Sequence, residues 1–276
     1  MVYEAADGLL RPICNSEQVP TMTALVSRES RPRRYARALL GHAPPGLALP
    51  ILSGPLRGKR WVVRSGNYSC WLGNFEQVKL RLFAAELRAG LVVFDIGAHV
   101  GFYSLLSAVL TRPGGSVFAF EPLPTNIAHL RSHANLNNVS INVIEAAVAD
   151  REGESRFQIG EDSYRGRLGT QGELVPVVSV DGLRAADKLP MPDLLKIDVE
   201  GAEALVLRGA RETILAARPT IFLAVHGPET REDCLGLLEE FGYTTQPLVG
   251  DGFEPETEFI ARPLTRRNID PSPLAL

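Results

Sequence analysis

The stretch Leu91-Val-Val-Phe-Asp-Ile-Gly-Ala-His-Val-Gly-Phe-Tyr103 decides the fold. A continuous apolar run ends in Asp95, a small-residue turn follows, and a helix-like segment opens at Gly101. A parallel strand hands its chain to a helix in this way around a nucleotide-like ligand. Glycine lets the backbone approach a ligand closely, and a carboxylate at the strand end can accept hydrogen bonds from it. The turn reads as the floor of a cofactor site, and the chain as an enzyme.

Outward from this turn the chain alternates. Apolar strand candidates lie at 91–96, 116–121, 140–147, 193–198, 220–226 and 243–248, with helix candidates at 101–111, 124–136, 201–217 and 229–241. Near-continuous apolar strands alternating with helices predict an α/β, Rossmann-like, doubly wound and mostly parallel sheet, covered on both faces. An insert between the third and fourth strands holds Arg156–Ile159, a polar Gly-rich stretch at 160–173, and Val175–Val180. Glu258–Arg262, after the turn signals Gly250-Asp-Gly252, is expected to add an antiparallel edge strand. Upstream, Lys59–Arg64 and Asn67–Leu72 read as two short strands joined at Ser65-Gly66, and 76–88 has helical spacing. The expected organisation is an arm at 1–57, a β-hairpin and helix cap at 58–90, a main domain at 91–265, and a tail at 266–276.

The 276 residues are 45% hydrophobic and 22% charged, with net charge −3. Such a balance is that of an ordinary globular chain, with no global pull toward nucleic acid or an anionic membrane. No apolar run reaches the roughly 18–20 residues that span a bilayer. The first residues lack the basic-then-apolar pattern of a signal peptide, and Met22 is a second candidate start. Cys14, Cys70 and Cys234 are sparse and lack metal spacing, which fits reduced thiols and a cytoplasmic location. The basic run Arg28–Arg37 reads as a solvated arm or helix, or as a contact to an acidic partner.

Ligands of a doubly wound sheet sit beyond the carboxyl ends of its strands. Those ends read Asp95-Ile-Gly-Ala98, Glu121-Pro122, Ala146-Ala-Val148, Asp198-Val-Glu-Gly201 and His226-Gly227. Glu121 lies about 20 residues past the glycine turn, where an acid can grip both ribose hydroxyls; it could also stabilise a helix N-terminus. The turn Gly97-Ala-His-Val-Gly101 lacks the glycine set of a diphosphate-binding loop. A cofactor without a diphosphate fits better, and S-adenosyl-L-methionine is one. Asp95 would then hold part of its ammonium end, directly or through water.

Four segments carry a resemblance: Phe94–Tyr103, Ala119-Phe-Glu-Pro-Leu-Pro-Thr-Asn126, Val180-Asp-Gly-Leu183 and Leu195-Lys-Ile-Asp-Val-Glu-Gly-Ala-Glu203. Over roughly residues 70–245 the chain resembles the FkbM family of S-adenosylmethionine-dependent class I methyltransferases. The Lys-Ile-Asp-Val-Glu-Gly block is the most specific part. The resemblance implies methyl transfer to an oxygen, often a hydroxyl of a sugar or natural product, leaving S-adenosyl-L-homocysteine. Two positions depart from the family: His99 stands where Asn is usual, and Ala224 stands where a Glu often precedes the His at 226. His99 can still donate a hydrogen bond, whereas Ala224 removes an acid or metal ligand.

The expected cofactor contacts are Asp95, Gly97, Ala98, His99, Gly101, Tyr103, Glu121, Pro122, Asn126, Ala147, Val148 and Asp198. Glu76, Lys196 and Glu200 are expected on the acceptor side. Candidate bases are Asp198, Glu200 and His226, the last for a titration range near neutral pH. Lys196, Asp198 and Glu200 alternate to one side, so a structural ion pair is the other reading of this block. Asp181 is expected to cap the turn before Leu183. His129 and His133 have i, i+4 spacing but no third ligand, so structural or surface roles are expected and no metal site is assigned. Two rivals remain: a nicotinamide-dependent oxidoreductase, which lacks its third glycine, and a non-catalytic nucleotide-binding module of the same fold. The expected partner is a small-molecule or sugar acceptor, without nucleic acid or membrane; the oligomeric state stays open, a homodimer included.

Overall fold

The computed structural model describes residues 44, 46–159, 166–169, 171–248 and 257–264. The basic run, Cys14, Met22, residues 160–165, the turn signals at 250–252 and the tail at 266–276 lie outside these residues. In chain order the elements are β1 (Ala48–Pro50), β2 (Arg60–Val62), α1 (Tyr68–Leu72), α2 (Gln77–Glu86), β3 (Val92–Ile96), α3 (Phe102–Leu110), β4 (Ser116–Phe120), α4 (Pro124–Leu136) and β5 (Asn142–Ile144). There follow β6 (Ala147–Val148), β7 (Gly153–Ile159), β8 (Gly166–Gly169), β9 (Glu173–Val178), α5 (Val180–Ala185), β10 (Leu194–Ile197), α6 (Glu203–Gly209) and α7 (Arg211–Ala217). Last come β11 (Thr220–Ala224), α8 (Pro228–Glu240), β12 (Tyr243–Pro247) and β13 (Glu258–Pro263).

Val93, Phe94, Asp95 and Ile96 have no exposed surface, as a parallel strand covered on both faces requires. β3 sits inside a sheet ordered β12-β13-β11-β10-β3-β4-β5. All pairs from β11 to β5 are parallel; β13 runs antiparallel to both its neighbours. The chain walks outward from β3 through β4 to β5, then returns to place β10 on the other side of β3. The order therefore reverses between β3 and β10, and a ligand crevice is expected outside their carboxyl ends. One face packs α3 with Trp61, Phe83, Phe102 and Phe222; the other packs α6, α7 and α8 around Leu207, Ile214 and Leu238. The predicted doubly wound sheet is thus the observed one.

Four local readings need correction. Asn67–Leu72 is a helix, not the second strand of a hairpin: the Asn67 side chain accepts the Ser69 N–H and Gly73 ends the helix at φ +75°. A Cβ at Gly73 would lie 1.9 Å from the Ser53 carbonyl oxygen, so the chain could not close there with another residue. β2 instead pairs with β1, ahead of the cap boundary expected at residue 58. The strand expected at 140–147 splits, and β6 joins β9, β7 and β8 in a separate sheet. β13 is antiparallel as expected but lies inside, leaving β12 at the edge. Burial explains this: Phe259, Ile260 and Ala261 are buried, whereas Thr244 to Pro247 are exposed. The helix expected at 201–217 breaks into two at Gly209, where a Cβ would lie 2.0 Å from the Ala149 carbonyl oxygen.

Candidate active site

A cavity of about 710 Å³ opens at the crossing of β3 and β10. That size suits a drug-sized ligand. The turn after β3, Glu121 to Leu123 after β4, Asp198 to Glu200 after β10, and His226 after β11 form its sheet side. Tyr68, Phe75 and Glu76 of the cap close another side, and Phe157 of β7 a third. Four non-glycine residues with left-handed backbone, Arg64, Glu76, His99 and Glu200, line it. Such conformations cost of the order of 1–3 kcal/mol each and concentrate at functional sites.

Gly97 has φ +78°, and a Cβ there would lie 1.9 Å from the Asp198 carbonyl oxygen. Only glycine lets the turn cross the end of β10 so closely. The amides of Gly97 and Ala98 both donate to Phe120 O, at 3.1 and 2.9 Å. Glu121 is fixed by the same turn: Oε2 accepts the His99 N–H at 2.8 Å, and Oε1 accepts Leu123 N–H and Asn126 Nδ2 at 3.0 and 3.1 Å. Burial pushes the Glu121 carboxyl up, against these three hydrogen bonds. His99 contributes its backbone; burial and Lys196 pull its imidazole down to about 4, so the ring is neutral.

Beneath the crevice lies an ion network. Lys196 sits 3.4 Å from Asp95 and 3.4 Å from Asp198, and is the register neighbour of Asp95. Lys79, with no exposed surface, lies 2.8 Å from Glu258 Oε1, 3.5 Å from Glu76 and 3.8 Å from Asp198. Both ammonium groups face the Tyr103 ring, at 5.2 and 5.7 Å from its centroid, and the Tyr103 hydroxyl donates to Glu76 at 2.7 Å. Burial alone would depress both lysines; their carboxylate neighbours outweigh it and hold them above the usual range. For Asp198 burial is likewise overcome, and Lys196, Lys79 and His226 hold its carboxyl well below the usual range. His226 Nδ1 donates to the fully buried Glu203 at 2.8 Å. Against its partial burial, Glu203, Asp198 and Glu200 raise the imidazole to about 9, so at neutral pH it carries a proton. Glu258 is pushed up to about 7: burial and Asp198 outweigh its pairing with Lys79.

The expected contacts Gly97, Ala98, His99, Tyr103, Glu121, Pro122, Asn126, Ala147, Val148 and Asp198 line the cavity, as do Glu76, Lys196, Glu200 and His226. Asp95 and Gly101 do not. Asp95 is fully buried, accepts Ser104 Oγ at 2.5 Å, and reaches the crevice only through Lys196. A Cβ at Gly101 would lie 2.6 Å from Leu130, so its smallness serves the packing of α3 on α4. Asp181 caps α7, accepting the N–H groups of Glu212 and Thr213; Ser179 caps its own turn. His133 is buried, stacks on Trp61 at 3.6 Å, and donates to Val100 O. Sequence reasoning missed Lys79, Glu203 and Glu258. Glu203 was legible as the acid opening the helix after Gly201; Glu258 was legible as an acid starting an apolar strand.

Residues 95–245 match the Methyltransferase FkbM domain. The chain belongs to the FkbM methyltransferase family. It is 30% identical to the 31-O-demethyl-FK506 methyltransferase FkbM of Streptomyces tacrolimicus, covering 58% of this chain and 75% of that one. It is 25% identical to the hexuronic acid methyltransferase AglP of Haloferax volcanii, covering 62% of this chain and 71% of that one. A solved FkbM methyltransferase from Methylobacillus flagellatus KT is 19% identical with TM-score 0.45, covering 64% of this chain and 44% of that chain. A likeness at that level bears no weight, and the architecture stands on this chain's own strand order. The resemblance read from the four motifs is therefore borne out, and the chain is a methyltransferase; the nicotinamide rival is not favoured.

Glu258 gives this FkbM-family site a pH signature. Its carboxyl is raised on folding, so its protonated form favours the folded state. Stability from this group is present below about 4.5 and falls as pH rises toward 7. The Asp198 contribution runs the other way and is lost only at lower pH. The free energy of urea unfolding should carry a Glu258 contribution that falls by about 3 kcal/mol between pH 4.5 and 7, set against His99 and His133, whose imidazoles are held down to about 4 and add stability as pH rises over the same range. In Glu258→Gln the profile should lose that fall and rise more with pH than in the wild type; parallel profiles would assign the titration elsewhere.

Proposed function

We propose that the enzyme transfers the methyl group of S-adenosyl-L-methionine to a hydroxyl oxygen of a small molecule or sugar. One observation carries this reading: the glycine turn with Glu121 and the charged cluster around Asp198 line a single cavity. The relatives named for 31-O-demethyl-FK506 and for hexuronic acid support the acceptor class. When bound, the cofactor supplies an electrophilic methyl group on a sulfonium.

The residues present fit this cofactor. Glu121, held by three hydrogen bonds, keeps lone pairs for ribose hydroxyls. Gly97 and Ala98 present only small side chains to the cavity at the end of β3. Asn126, Ala147 and Val148 complete that wall. Asp198 stays ionised, placing a fixed negative charge where a cationic donor is stabilised. Glu76, Lys196 and Glu200 face the acceptor side.

The proton of the acceptor hydroxyl needs a base within hydrogen-bond reach. Asp198 is too weak a base in its ion network, and His226 already holds a proton at neutral pH. Glu258 lines the cavity, and its buried Oε2 has no hydrogen-bond partner among the described residues. We take Glu258 as the base of this account, ahead of Glu200, for this unshared oxygen and a carboxyl pushed up to about 7. It stands beside Ala224 in the register of β13 on β11, so a carboxylate faces this point from the neighbouring strand.

Calorimetry should show S-adenosylhomocysteine binding and no comparable NAD binding; the reverse sinks the proposal. Glu121→Ala should weaken that binding about 10–100-fold, the loss of charge-assisted hydrogen bonds of about 1.5–3 kcal/mol. With radiolabelled donor and a panel of hydroxylated macrolides and glycosides, the wild type should label an oxygen. Glu258→Gln should label it about 10²–10⁴ times more slowly with unchanged S-adenosylhomocysteine affinity; an unchanged rate would remove Glu258 as the base.

A further inference from the structure

The two strand ends after β10 and β11 bring together side chains of metal-ligating type. Asp198, Glu200 and His226 each offer one atom, and these atoms all lie within 4.8 Å of one another. His226 Nε2 is 3.4 Å from Glu200 Oε2 and 3.9 Å from Asp198 Oδ1. Donors around a small divalent cation at about 2.1 Å stand about 3 Å apart when adjacent and about 4.2 Å apart when opposite. The observed spacing needs only small side-chain adjustment to meet that geometry.

Three further features single this cluster out. Glu203, fully buried, takes the Nδ1 proton of His226 at 2.8 Å and the Gly201 N–H at 3.0 Å on the same oxygen. It thereby turns Nε2 toward the two carboxylates, the carboxylate–histidine arrangement that orients metal-bound imidazoles. Asp198 divides its oxygens: Oδ2 faces Lys79 and Lys196, while Oδ1 faces His226. The lysines thus leave one oxygen for another cation. Finally, the carboxylates of Glu76, Glu121, Asp198, Glu200 and Glu258 line this cavity against the cations Arg64 and Lys196, with the buried Lys79 beneath.

We propose that Asp198, Glu200 and His226 bind one divalent cation at the mouth of the cavity. Two carboxylates and one imidazole suit a cation of the Mn²⁺ type, which accepts both oxygen and nitrogen donors; on binding, the cation displaces the Nε2 proton that His226 otherwise holds at neutral pH, and that proton leaves to solvent. Its remaining positions face the cavity, where an acceptor hydroxyl would enter the coordination shell and be acidified. That use rests on the methyl-transfer reading; the binding itself does not.

The test is a titration of chelator-stripped full-length protein with Mn²⁺, reading free Mn²⁺ by electron paramagnetic resonance. One Mn²⁺ should bind per chain. His226→Ala and Glu200→Gln should each weaken binding about tenfold or more, and Glu203→Gln, which leaves all three ligands in place, about 10–100-fold. Glu145→Gln, on the exposed surface, should leave it unchanged. Circular dichroism and S-adenosylhomocysteine calorimetry on each variant keep misfolding separate from lost coordination. No binding up to about 1 mM, the weakest useful affinity, overturns the proposal. Equal binding by wild type and both His226→Ala and Glu203→Gln also overturns it. Wild type that binds S-adenosylhomocysteine but not Mn²⁺ removes the metal site and leaves the methyltransferase account standing. Wild type that binds Mn²⁺ alone does the opposite.

Discussion

Everything in this site depends on charges being paired beneath the sheet crossing. Lys196 and Lys79 are buried cations, and an unpaired buried charge costs several kcal/mol. Asp95, Asp198, Glu76 and Glu258 make their burial possible. The pairing acts across the fold: it ties β3 to β10 through Asp95 and Lys196, and the cap helix α2 to the distant strand β13 through Lys79 and Glu258. The crevice floor is thus held by electrostatics where the strand order reverses and no strand-to-strand crossover fills the gap.

The same network sets the chemistry. It fixes Asp198 as an anion, gives His226 a proton, and leaves Glu258 with one unshared oxygen and a carboxyl at about 7. Beside it, the turn at Gly97 and Ala98 lies against the end of β10, and the Glu121 carboxylate is fixed by three hydrogen bonds from its own and the adjacent turn. In the proposed function this part of the lining holds the nucleoside, and the ion network manages charge. The cap adds Tyr68, Phe75 and Glu76 to the lining.

The parallel core was legible because each strand is a continuous apolar run ended by a polar residue, a local signal. Asn67–Leu72 was misread because its apolar and aromatic content suits a strand, while its fate was decided by the Asn67 and Gly73 caps. The inward position of β13 follows from how much apolar surface it and β12 can each bury, a comparison between strands that no single window contains. Among the site residues, motif positions at strand ends fell mostly where expected. Asp95 did not, because a strand-end acid can be taken up by Lys196 and Ser104 before it meets a ligand. Lys79 and Glu258 stayed hidden since they meet across 179 positions of sequence.

The most direct test is the structure of the complex with S-adenosylhomocysteine. This account expects ribose hydroxyls on Glu121, the sulfur above Asp198, and Glu258 facing the open side of the sulfur where an acceptor would stand. A ligand whose ribose lies away from Glu121, or whose sulfur points away from Asp198 and Glu258, would contradict it.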